Sequence, residues 1–178
     1  NESLDSEIIS VLSFGTKVPV LSKNKNGFFE LSTSSKYFIY TNFDKNIDLN
    51  GRMAIVRLAK TLLGVPYIWG GKSSFGFDCS GFVQLLFNSC NIILPRDSSS
   101  QYILNSLKTI SYNESLPGDL IFFFEGKNVN HVGIIIDKNI FIHCSGKVKI
   151  ESLLESSSLY NHKLAKSAFK VKSIKKLL

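Results

Sequence analysis

The chain has 178 residues, 44% of them hydrophobic, and carries 21 Lys and Arg against 14 Asp and Glu for a formal charge of +7. That length buries one sizeable core plus a small companion module at most, and no stretch approaches the roughly 20 uninterrupted apolar residues that span a bilayer. The positive excess gathers after residue 126, where ten lysines face Asp137, Glu151 and Glu155; aromatics do not alternate with them as a stacking platform requires, so no nucleic-acid partner is expected.

The start, Asn1-Glu2-Ser3-Leu4-Asp5, has neither the basic flank nor the apolar segment of a signal peptide. A cytoplasmic location is expected, with export still open because the sequence begins without Met. Cys79, Cys90 and Cys144 form an odd set without CxxC spacing, which suggests neither a disulfide framework nor a zinc site and favours a reducing compartment.

Residues 1–50 hold short β-prone runs at 17–21, 28–31 and 36–40, separated by Asn24-Lys25-Asn26-Gly27 and by the serine-rich stretch 32–35. The Asn-Gly step predicts a hairpin, and the spacing predicts a small all-β module ending in the polar segment 42–50. A second domain then occupies 51–178. Over 52–63 the apolar residues Met53, Val56, Ala59, Leu62 and Leu63 recur every three or four positions, predicting a helix that stops at Gly64 before Pro66. The loop 65–78 contains Gly70, Gly71 and Gly76 together with Tyr67 and Trp69, each of which can serve either a core or a site.

Next comes a helix over 79–90, apolar nearly all round and therefore central, and a third short helix starting at Asp97 or Ser98. The remainder is strand-like: 119–124, 131–137, 139–144, 148–150 and 168–174. Helices first and strands afterwards predict an α+β domain built on an antiparallel sheet.

Cys79 opens the central helix, where unpaired N–H groups and the helix dipole favour a thiolate and can hold an oxyanion. A reactive thiol needs a base and the base needs an orienting group. His131 and His143 flank the turn Asp137-Lys138-Asn139; with that turn centred near 138, the partner of His131 falls near 145, so His143 meets it across a bulge or a diagonal. His162 follows a serine-rich loop and reads as exposed. Cys90 and Cys144 read as small buried hydrophobes.

Five motifs in order, Pro66-Tyr67-Ile68-Trp69-Gly70-Gly71, Asp78-Cys79-Ser80-Gly81-Phe82-Val83-Gln84, Pro95-Arg96-Asp97-Ser98, Pro117-Gly118-Asp119-Leu120 and His131-Val132-Gly133-Ile134, resemble those of NlpC-type cell-wall cysteine peptidases. The resemblance implies a papain-like α+β fold with Cys79 as nucleophile, His131 as base and His143 as the residue orienting it. It is closest to the branch that cleaves γ-D-glutamyl–diaminopimelate bonds in peptidoglycan stem peptides with a free N-terminal L-alanine. That branch implies Tyr67, Asp78, Ser80 and Ser98 as substrate-site residues and, more weakly, an SH3-like barrel for residues 1–50. Asp78 suits an ammonium or a helix cap, Tyr67 can direct its hydroxyl to an oxyanion, and Arg96 and Asp119 suit the bracing of loops. The resemblance implies no cofactor or metal, and stem peptides or muropeptides as partners; a monomer is expected. A Cys–His amidase or acyltransferase and a non-catalytic wall-binding protein are the competing readings.

Overall fold

A computed structural model describes residues 8, 10–23, 28–32, 38–40 and 51–174. The chain divides into two compact units, Asn1–Ile47 and Asp48–Leu178. In the first, β1 (Val20–Lys23), β2 (Phe28–Leu31) and β3 (Phe38–Tyr40) form an antiparallel sheet in the order β1-β2-β3. The first strand begins three residues later than the β-prone run suggests. Among the described residues of this unit only Phe28 is buried. The Asn24–Gly27 turn, the turn residues 33–35 and the polar segment 42–50 lie outside the described residues.

The second unit is α+β. It opens with α1 (Gly51–Thr61), which buries Ala54, Ile55, Val56, Leu58 and Ala59. The periodicity placed Met53 and Leu63 on that inner face, yet Met53 is 50% exposed and Leu63 also faces out. The residues actually buried are 54, 55, 56, 58, 59 and 62, whose two alanines let the helix approach its neighbours closely. Beyond α1, Gly64 takes φ +87°, and the chain runs alongside a sheet segment through Gly64 N–H to Val148 O at 2.9 Å and Tyr67 N–H to Gly146 O at 2.9 Å. A two-residue ladder, β4 (Lys72–Ser73) with β5 (Gly76–Phe77), then delivers the chain to α2 (Cys79–Ser89). After α3 (Ser98–Tyr102) comes β6 (Leu107–Ile110), an edge strand with two exposed residues that its own sequence does not announce.

The main sheet adds β7 (Leu120–Glu125), β8 (Asn128–Asp137), β9 (Ile140–Ser145), β10 (Lys147–Ser152) and β11 (Phe169–Ile174), with the short α4 (His162–Ala165) before the last. Its order is β10-β9-β8-β7-β11-β6, with antiparallel neighbours throughout. Strand β7 reads Leu-Ile-Phe-Phe-Phe because both of its faces are covered. One face joins Ile121, Phe123, Ile135, Phe141 and Val171 in a cluster sealed by Tyr112, Leu164 and Phe169. On the other, Phe122 and Phe124 meet the ring of Tyr102 edge-on at 5.4 and 5.2 Å, and α2 packs against β8 and β9.

The two ends of this unit are tied by Arg52. Its guanidinium donates to the Asp119 carboxylate, to Pro117 O at 3.4 Å and to Ser173 Oγ at 2.7 Å, while the other Asp119 oxygen accepts from Leu116 N–H at 2.8 Å. The expectation that Asp119 braces a loop holds. Asp119 is fully buried, so removing it strands a guanidinium that has few other partners. Asp119→Ala is expected to cost about 3 kcal/mol, measured by urea unfolding at neutral pH; a loss below about 1 kcal/mol would mean the pair behaves as a surface bridge.

Candidate active site

The loop before α2 is closed by one carboxylate. Asp78 caps the helix through Oδ1, which accepts from Gly81 N–H at 2.7 Å, and its Oδ2 accepts from Gly70 N–H at 3.1 Å. Ser80 Oγ donates to Oδ1 at 3.3 Å, and Arg96 grips both oxygens with its two terminal nitrogens while also donating to Ser80 Oγ at 3.0 Å. Burial alone would raise the Asp78 carboxyl, but Arg96 and the Gly81 and Gly70 N–H groups outweigh it and hold the group ionised below the usual carboxylate range. Asp78 is thus a helix cap with every oxygen occupied, and Arg96 is its partner. Gly81 is obligatory for the same seat: a Cβ there would lie 2.2 Å from Gly71 O.

This arrangement presents Cys79 at the first turn of α2, where the helix meets β8. The N–H groups of Val132, Ser80 and Cys79 itself pull the thiol toward ionisation, but burial pushes harder and the net shift is upward. The thiolate expected from the helix N-terminus is therefore not favoured at rest, because burial, joined by the nearby Asp78 charge, outweighs the N–H groups. Val132 is the residue after His131, so the same strand that meets the thiol carries the imidazole.

His131 and His143 come together as the hairpin arithmetic requires. Gly133 pairs with His143 and Ile134 with Ile142, so His131 stands two residues from the direct partner and meets His143 on the diagonal, with Nε2 2.6 Å from His143 Nδ1. The bulge falls farther along, between Ile135 and Asp137. Gly133 keeps the position opposite His143 clear; a Cβ there would sit 3.1 Å from His143 Cβ. The rings lie against Phe123 and Phe141. Burial, then the neighbouring His143, pushes the His131 pKa down to about 3, and burial also lowers that of fully buried His143. Both imidazoles are neutral at pH 7.

Sequence reasoning missed the next member of the line. Glu151 Oε2 lies 2.7 Å from His143 Nε2, and Glu151 is held by Lys149 Nζ at 2.7 Å and by the side-chain amide of Asn161. Asn161 in turn caps α4, accepting from Leu164 N–H at 2.8 Å. Burial would raise the Glu151 carboxyl, but His143, Lys149 and Asn161 bring it down to about 2. Its charge alone gave no signal; the register does, since in β10 Lys149 pairs with His143, which puts Glu151 on the second diagonal.

Tyr67 lies near Cys79 and Asp78. It is bridged to Phe77, and its hydroxyl is raised first by burial and then by Cys79 and Asp78, so it stays a donor. Ser98 opens α3, half-buried, and that helix is tied to the first turn of α2 by Gln101, whose Nε2 donates to Ser80 O at 3.1 Å and Pro95 O at 2.9 Å. Trp69 is 89% exposed and is no core residue. Cys144 is buried, as expected, with Sγ 3.3 Å from Phe77 O, while Cys90 is only half-buried. His162 is exposed, as expected, and begins α4.

Residues 64–170 match the NlpC/P60 family. The sequence is 34% identical over 161 residues to a γ-D-glutamyl-L-lysine dipeptidyl-peptidase of Bacillus subtilis, covering 86% of this chain and 53% of the relative. It is 46% identical over 83 residues to a probable endopeptidase p60 of Listeria grayi, covering 47% of this chain and 16% of that one. Among solved structures, an NlpC/P60 family protein from Bacillus cereus superposes with a TM-score of 0.68 at 28% identity, covering 89% of this chain and 54% of the other. The chain spans about half or less of the length of these relatives.

The buried imidazoles set an acid limit on stability. Unfolded, His131 binds a proton near its ordinary 6.5; folded, it does so only at about 3. Between those values the unfolded chain holds the extra proton, so stability falls as pH drops through that window. Glu151 adds a further loss from about 4.5 down to about 2. Urea unfolding at pH 7 and pH 4.5 is expected to show a smaller difference for His131→Gln than for the native protein, and an unchanged difference would mean that His131 is solvated.

Proposed function

The chain belongs to the NlpC/P60 family, and from that premise we propose that it is a cysteine endopeptidase cleaving the γ-D-glutamyl–diaminopimelate bond of peptidoglycan stem peptides, with preference for a free N-terminal L-alanine. One observation carries this reading: Cys79 meets β8 at Val132, one residue from His131, whose Nε2 is 2.6 Å from His143 Nδ1. The name of the Bacillus subtilis relative, a γ-D-glutamyl-L-lysine dipeptidyl-peptidase, supports the bond class.

In this reaction the thiol and imidazole rest neutral. His131 removes the Cys79 proton as sulfur attacks the γ-glutamyl carbonyl, giving a tetrahedral oxyanion that the Cys79 N–H and the Tyr67 hydroxyl stabilise. Collapse breaks the C–N bond, and the imidazolium returns its proton to the leaving amine. Water, deprotonated by His131, then attacks the thioester and frees the γ-glutamyl carboxylate and the thiol. His143 holds the His131 ring through both steps. Asp78 and Ser80 are already committed to Arg96, so their reading of a substrate ammonium requires Arg96 to yield one contact. Ser98, at the start of the helix tied to Ser80, completes the wall.

Residues 1–50 are proposed as the SH3-like module. The free cysteines and the small free-amine substrate fit a monomeric enzyme recycling wall fragments in the cytoplasm. The test is mass spectrometry of products from L-Ala-γ-D-Glu-diaminopimelate, its lysine analogue and their N-acetylated forms. The native protein is expected to release L-Ala-D-Glu, and Cys79→Ala to lose activity by about 10⁴-fold or more. Hydrolysis surviving in Cys79→Ala removes the peptidase reading. Equal turnover of acetylated peptide removes the amine preference alone.

A further inference from the structure

We propose that Glu151 is a positioning residue of this reaction, which fixes the tautomer of His143 and thereby leaves Nδ1 of His131 as the lone pair that takes the Cys79 proton. The inference rests on the peptidase reading above. Its basis is a diagonal repeated across three strands. His131 on β8 lies two residues from Gly133, the register partner of His143 on β9, and Glu151 on β10 lies two residues from Lys149, the partner of His143 on the other side. The result is one continuous line, His131 Nε2 to His143 Nδ1 at 2.6 Å and His143 Nε2 to Glu151 Oε2 at 2.7 Å.

A neutral imidazole has one N–H and one lone pair, so this line admits few proton arrangements. Ionised Glu151 only accepts, which places the His143 proton on Nε2. The lone pair of His143 is then on Nδ1 and takes an N–H from His131 Nε2, and the remaining lone pair of His131 is on Nδ1. Without the carboxylate, His143 can equally carry its proton on Nδ1. That form accepts nothing from His131 Nε2–H and turns the base to the wrong tautomer, a defect that costs catalytic triads about 10⁴-fold. The structure also restrains Glu151 itself: Lys149 Nζ is on Oε1 at 2.7 Å and Asn161 donates to Oε2, with Asn161 fixed by its cap on α4. Its field, partly offset by Lys149, favours the imidazolium that forms on His131 and His143.

The experiment compares Glu151→Gln and Glu151→Asp in the native and His143→Asn backgrounds, with steady-state kinetics on the tripeptide and ¹⁵N spectra of histidine-labelled protein, in which His162 is the internal control. Glu151→Gln is expected to lower kcat at least about tenfold with KM changed less than about threefold, and to convert the His143 spectrum from the Nε2–H form to a mixture. Glu151→Asp, which keeps the charge, is expected to retain the Nε2–H form and most of the activity. An asparagine at 143 has no tautomer to fix, so there Glu151→Gln is expected to be nearly silent. Native kcat and an unchanged His143 spectrum in Glu151→Gln overturn the proposal, as do equal losses in both backgrounds, which mean that Glu151 only holds β10 in place. If Glu151→Gln does not fold, Glu151→Asp decides: tautomer and kcat retained together, or lost together, support the proposal, and a change in one without the other overturns it. A native protein that cleaves no stem peptide defeats the peptidase reading instead, and the histidine spectra still decide whether Glu151 fixes the tautomer.

Discussion

The seat of α2 is the constraint on which the site depends. A thiol proposed as nucleophile at a helix start needs that start immobilised, and here one carboxylate does so: Asp78 binds Gly81 N–H inside the helix, Gly70 N–H in the preceding loop and both terminal nitrogens of Arg96 from the segment leading to α3. Three separate stretches of chain therefore share one anion, and none can shift without unpairing a donor from it. Gly81 lets the loop close onto the helix, and Gly71 lets the loop close on itself, at separations that no Cβ tolerates. The apolar body of α2, with Phe82, Val83, Leu86 and Phe87 buried, anchors the other end in the sheet.

The second half of the site is held by a different device. His131, His143 and Glu151 sit on three consecutive strands, so their spacing follows from hydrogen-bond register, which a buried sheet holds firmly because a slip of one residue would turn the whole hydrophobic set outward. Phe123 and Phe141 in the core cluster are the same residues that flank the imidazoles. Core packing and ring orientation are thus one constraint, and Gly133 keeps a close fit opposite His143 from becoming crowded.

This division explains what was legible in the sequence. Cys79 was visible because glycines and a helical apolar pattern are local signals, and the His131–His143 diagonal because a short hairpin fixes its own arithmetic. The inner face of α1 was misjudged at Met53 and Leu63, since periodicity describes a stripe while tertiary contact chooses which stripe is covered. Trp69 is exposed, although its size favours a core on average, because its loop spends its buried contacts on backbone and on Asp78. Strand β6 is only four residues, Leu-Lys-Thr-Ile, with its middle two exposed, leaving no alternation to read. Glu151 was hidden in a run where its charge looked like ordinary surface, and only the β9–β10 register turns it toward His143.

Burial and charge then set the character of the proposed chemistry. Desolvation raises the Cys79 thiol and lowers both imidazoles, so at rest the pair holds no separated charge, in spite of the helix N-terminus. A site of this kind stores its electrostatic advantage in fixed dipoles and in a distant anion, which act only once a proton moves. Charge separation between sulfur and His131 is then met at one end by the N–H groups of Cys79, Ser80 and Val132 and at the other by Glu151 through His143. The carboxylate stands two hydrogen bonds from His131, where it can stabilise the imidazolium without pairing directly with His131 and drawing its base away from the sulfur.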